Sequence, residues 1–94
     1  MNAKHVSPHA IEAALREALQ PTRLEVQDDG HLHIGHAGAR EGGHYTVRIT
    51  SARFAGCSRV ARHRLVYDAL RTLLPAGMAG IHALAIEAHA PDER

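Results

Sequence analysis

Apolar residues in this chain recur with two different periods, and the order in which those periods alternate limits the fold more than any other feature. Ile11, Ala14, Leu15, Ala18 and Leu19 recur at helical spacing. Ser7-Pro8 just ahead is a helix start, with the serine as cap and the proline at the first helical position. Pro21 stops that helix. From Arg23 to Gln27 the period falls to two: Leu24 and Val26 face one way, Glu25 and Gln27 the other, as in a short strand with one buried face. The same alternation returns from His44 to Ser51, with Tyr45, Val47 and Ile49 on one side and Thr46, Arg48 and Thr50 on the other.

Arg53 to Tyr67 is the central stretch. It begins as the end of a strand, turns at Gly56, and becomes an arginine-rich helix that Ser58 can cap. Leu65, Val66, Ala69, Leu70 and Leu73 carry its apolar stripe, with Arg64, Asp68 and Arg71 off it and Arg64 near Asp68. The helix runs to about Leu74, and Pro75 to Gly80 is a connector. Ile81 to His89 forms the last strand, in which His82, Leu84 and Ile86 share the inward parity.

The order is therefore helix, strand, strand, short helical turn, helix, strand. This is an α+β chain, αββααβ, with a three-stranded sheet and its helices on one face. The first two strands form an antiparallel hairpin with the segment His31 to Gly43 at its tip. The last strand, reached by a crossover through the helix, joins parallel, so the sheet is mixed. Residues 1–94 make one domain, with 1–6 and 90–94 as flexible termini.

Composition narrows the function. The formal charge is +1 and aromatics are 3% of residues, with no tryptophan. That argues against broad nonspecific nucleic-acid binding, which needs many phosphate contacts, and against base stacking on aromatic platforms. Nine histidines are the unusual feature; they titrate near neutrality and are metal ligands. The single Cys57 excludes an intrachain disulfide. The N-terminus lacks the apolar run of a signal peptide and no stretch is apolar enough to span a membrane, so a soluble, cytoplasmic protein is expected. No nucleophile with a base, phosphate-cradling glycine loop or carboxylate pair stands out, so no enzyme is expected.

Three sets of residues could carry chemistry. His31, His33 and His36 lie close enough in sequence to converge on one ion, or are merely polar loop residues. His82 heads the last strand and is either a ligand or a hydrogen-bonded strand-end residue. Arg53, Arg59, Arg62, His63 and Arg64 form a basic run that suits phosphate or carboxylate binding, or a solvated helix face. Cys57 precedes a helix whose dipole could activate a thiol, but reads better as a loop residue. Gly77-Met78-Ala79-Gly80 has the spacing of an RNA-binding Gly-x-x-Gly loop, yet falls between the last helix and the last strand and reads as a helix terminator.

Phe54-x-Gly56, Arg62-His63-Arg64 followed by Val66-Tyr67, and Ile81-His82-Ala83-Leu84 together resemble the BolA-like family, in its order and at about its spacing, across Ile11 to Glu87. The resemblance implies a fold similar to the type II KH arrangement. It implies that His82 and a histidine of the loop between the first two strands are ligands, His33 first and His36 as its rival. The implied partner is a monothiol glutaredoxin that, with glutathione, shares a [2Fe–2S] cluster with this chain. Histidine ligation of one iron has its parallel in Rieske centres. Some BolA-like proteins are described as transcriptional regulators, which gives the alternative: a DNA-binding stress-response regulator using Arg59, Arg62, His63 and Arg64. A simple metal-binding protein using the histidine loop alone is a third reading. Alone, the chain is expected to be a monomer or weak homodimer. It departs from the family at Gly30, where serine is common, and at Gly42-Gly43-His44-Tyr45, which is shorter and has tyrosine for phenylalanine.

Overall fold

The structure is a computed structural model, and it describes residues 6–29 and 43–92. Helix α1 spans Pro8–Leu19. Ser7 Oγ accepts a hydrogen bond from the amide of Ala10 at 3.0 Å, so the expected cap forms. Gln20, in a left-handed conformation with φ of 48°, closes the helix just before Pro21. Ile11, Ala14, Leu15 and Leu19 are buried.

Strand β1 covers Arg23–Asp28 and β2 covers Gly43–Thr50; they pair antiparallel, with Leu24 opposite Ile49 and Val26 opposite Val47. Helix α2 runs from Arg59 to Leu73, and β3, Ile81–His89, lies parallel to β2. The strand order is β1-β2-β3. Two helices against a mixed three-stranded sheet is the architecture that the alternating periods predict.

The core lies between helices and sheet. Tyr45, Val47 and Ile49 of β2 enter it with Phe54, Val66, Ala69 and Leu70, and all are buried. The opposite face of the sheet is polar. At its centre Arg48 lies 3.6 Å from Glu25 and 3.4 Å from Glu87, its register partners on either side. Among the described residues no helix is long and apolar enough to cross a membrane.

Four local expectations are corrected. Arg53 is not the end of a strand: Ser51 leaves β2 and opens a short 3₁₀ turn, Ala52–Phe54, accepting from the amide of Arg53 at 3.1 Å. The buried Ser51 hydroxyl also donates to the carbonyl of Leu19 at 2.6 Å, so the turn is anchored to the end of α1. Leu73 is 38% exposed, and Leu74 is buried in its place, because the helix ends there and extended backbone at Leu74 turns its side chain inward. Asp68 pairs with Arg71, three residues on. At the chain ends, Val6 packs against the core and Ala90 is buried, so neither belongs to a loose terminus.

Gly56 turns the chain with φ of 76°, and Ser58 Oγ accepts from the amide of Ala61 at 3.1 Å to cap α2. Gly77 to Gly80 forms a 3₁₀ turn between α2 and β3, as a helix terminator should.

A histidine pair and a cationic cleft

Parallel pairing of β2 and β3 decides where His82 goes. Gly43, the first residue of β2, is opposite Ile81, the first residue of β3. The segment between β1 and β2 leaves the sheet after Asp29, whose amide donates to the carbonyl of His44 at 2.7 Å, and re-enters it at Gly43. Both anchor points of that segment therefore lie at the end of the sheet where His82 stands. An antiparallel last strand would have put His82 at the far end. His31, His33 and His36 themselves lie outside the described residues.

His82 does not follow the parity of Leu84 and Ile86. The register steps from Gly43 opposite Ile81 to His44 opposite Ala83, so His82 is an extra residue in β3. Such a bulge leaves one residue out of the ladder and re-aims its side chain. Ile81 and Leu84 both pack against the core, and His82 is exposed. Its ring lies against that of His44, with centroids 5.0 Å apart and planes at 45°. His44 is half-buried on the polar face, and its Nε2 is out of contact with solvent. Sequence alternation marks His44 as outward-facing but carries no signal that it meets His82, because the bulge is invisible to a period-two count.

The backbone on either side of His44 is immobilised. Tyr45 folds back over Gly43 so closely that a Cβ on that glycine would fall 2.1 Å from Tyr45 Oη. The tyrosine hydroxyl donates to the carbonyl of Val6 and accepts from its amide at 3.2 Å. Burial raises the Tyr45 pKa above 10.0; the Val6 hydrogen bond opposes that shift and the charge of Asp28 adds to it.

The basic run divides. Arg59, Arg62 and His63, one face of the first turns of α2, line a cleft of about 540 Å³ with Cys57 and the last residues of β3, Ile86 to His89. Arg62 crosses it: Nε donates to the carbonyl of Cys57 at 2.9 Å and Nη1 to that of Ala88 at 3.0 Å. This arginine ties the start of α2 to β3. Arg64 is exposed and is not part of the cleft lining, nor is Arg53. The Cys57 thiol donates weakly to the carbonyl of Arg53 at 3.6 Å. The cleft and His82 sit at opposite ends of β3, roughly 20 Å apart along the strand.

Among the described residues no three His, Cys, Asp or Glu side chains converge on a common ion position.

Over residues 15–93 the chain matches the family model described as BolA-like protein. An uncharacterised Sinorhizobium sp protein of the cobS 5′ region is 50% identical over 88% of this chain and 89% of its own length. SufE-like protein 1, chloroplastic/mitochondrial, of Arabidopsis thaliana is 42% identical over 88% of this chain, which spans only 23% of that relative. The solved structure of BolA1 from Arabidopsis thaliana superposes with a TM-score of 0.77 at 36% identity, covering 95% of this chain and 96% of that one.

Proposed function

The chain belongs to the BolA-like family, and from that premise we propose that it is a non-enzymatic partner of a monothiol glutaredoxin. With that partner and glutathione it shares a [2Fe–2S] cluster, for iron–sulfur cluster assembly, trafficking or iron sensing. The observation that carries this reading is the position of His82: exposed, on a bulge, at the sheet end where the histidine-bearing segment is anchored. One exposed imidazole plus one from that segment, His33 or His36, is a donor set that suits part of a cluster and needs a second chain for the rest. The BolA domain within the Arabidopsis SufE-like relative fits a role in iron–sulfur metabolism. Bound there, the cluster is cargo; this chain's own contribution is to present and orient imidazole nitrogens.

The test is anaerobic co-purification with a monothiol glutaredoxin, followed by visible absorption and circular dichroism, with His33→Ala, His36→Ala and His82→Ala beside the wild type. The expected result is a cluster spectrum distinct from that of the glutaredoxin alone, lost in His82→Ala and in one of the two loop variants. A complex with an unaltered glutaredoxin spectrum, or none at all, overturns the reading.

A second reading, DNA binding by the arginine helix, is supported by the exposure of Arg59 and Arg64. It predicts affinity that falls steeply as salt is added.

A further inference from the structure

A bulged residue has weak local control of its side chain. It makes no regular ladder pair, so the ladder alone does not fix the direction of its side chain. A ligand left in that state loses affinity to ordering, so a ligand on a bulge needs a support.

The structure assigns that support to His44: it is a positioning residue whose ring holds the His82 imidazole in the orientation in which it binds. This inference rests on the reading of His82 as a ligand. Three observations carry it. The two rings are in contact at 5.0 Å and inclined at 45°, a geometry that favours one His82 rotamer over the others. The burial of the two residues differs in the right sense: His44 is half-buried with Nε2 out of solvent, whereas His82 is exposed. The supporting ring is therefore the one held by the fold, and the presented ring is the one a partner can reach.

The third observation is the rigidity of the platform. His44 sits in β2 between Gly43 and Tyr45, and those two residues are interlocked. The tyrosine ring occupies the space of a Gly43 Cβ and is itself fixed to Val6 at the hydroxyl. Gly43 pairs with Ile81 and His44 with Ala83, so β2 grips β3 on both sides of His82. A site on strands, with its support locked by packing, holds geometry better than one on a loop.

A positioning ring and a ligating ring make different demands on residue 44. Positioning needs an aromatic surface; ligation needs a nitrogen. The variants are therefore His44→Ala, which removes the ring, and His44→Phe, which keeps the surface and removes both nitrogens. The first readout uses the isolated protein with no cluster: the NMR signals of the His82 imidazole. His44→Ala should remove the ring-current shift and move the His82 signals away from their wild-type positions, while His44→Phe should retain a distinct shift. The second readout uses the complex with glutaredoxin: the rate at which a chelator strips the cluster. Loss of an outer-shell partner typically costs 10- to 100-fold in affinity, so stripping should be about 10-fold faster in His44→Ala and close to wild type in His44→Phe. Thermal unfolding of both variants controls for loss of the sheet.

Equal damage from Phe and Ala in the stripping assay would mean that residue 44 supplies a nitrogen, and positioning would be wrong. His82 signals that do not respond to His44→Ala would equally end it. If the wild-type complex forms no cluster, the glutaredoxin reading fails by itself, and the NMR comparison still decides whether His44 orients His82.

Discussion

Tyr45 illustrates how one side chain near the candidate site couples the N-terminal segment to the sheet. Its hydroxyl reaches Val6, 39 residues away in sequence, and its ring requires glycine at position 43. Tyr45→Phe should cost about 1 kcal/mol, the net worth of an ordinary hydrogen bond, read as a lower denaturant midpoint with unchanged slope. The raised pKa adds a pH signature. A phenol whose pKa is higher in the folded state stabilises the fold fully below the unfolded value of 10.0, and that contribution fades as pH climbs through the folded value. Wild type should therefore lose stability above about pH 10, and Tyr45→Phe should lose less over the same range; parallel alkaline limbs would contradict this. At the same scale the sequence was a mixed guide. Tyr45, Val47 and Ile49 follow their alternation into the core without exception. His82 does not follow its own, because one inserted residue reverses every parity inference upstream of it. The contact between His44 and His82 depends on that insertion and on a pairing between distant strands, neither of which has a local signature.

At the level of elements, the junction between α2 and β3 rests on Arg62. Its planar fork spans two backbone carbonyls, of Cys57 and Ala88, one before the helix and one in the strand. Part of the Arg62-His63-Arg64 motif is thus a staple between elements. Arg62→Ala should destabilise by roughly 2 kcal/mol, as expected for charged hydrogen bonds to half-buried carbonyls. Arg62→Lys should recover little of it, since an ammonium cannot address both carbonyls in the same fork. A calorimetric melt checks both; full rescue by lysine would show that charge alone matters. The elements themselves were legible to within a residue or two, because caps and stops punctuate the chain: Ser7-Pro8, Pro21, Ser58 and Gly77. The misassigned Arg53 has a clear cause. The alternation of β2 carries on visually into Ser51, and the two hydrogen bonds of its hydroxyl, to Leu19 and from the Arg53 amide, mark where the strand has ended and a 3₁₀ turn has begun.

Across the whole molecule the two candidate functions occupy opposite ends of β3. The histidine pair stands at its start and the cationic cleft at its end. The two should therefore separate by mutation. Arg59→Ala with Arg64→Ala should abolish any salt-sensitive DNA retention and leave the cluster spectrum of the glutaredoxin complex unchanged. His82→Ala should do the reverse. Gel-shift and spectroscopic assays on the same two proteins check this, and a variant that damages both activities while melting normally would refute independent sites. The mixed sheet was legible at this scale, since a crossover helix between two strands demands a parallel pair. The division of the basic run was not, because it depends on which helix face meets β3.

The parallel pairing of β2 with β3 also bears on the order of events during synthesis. The residues brought together at one end of the sheet are far apart in the chain, and Ile81–His89 is the last strand of the fold to leave the ribosome. A nascent chain that has emerged only as far as α2 can form the β1–β2 hairpin yet still lacks His82. On the proposed reading of His82 as a ligand, the donor set is complete only once this last strand has paired with β2.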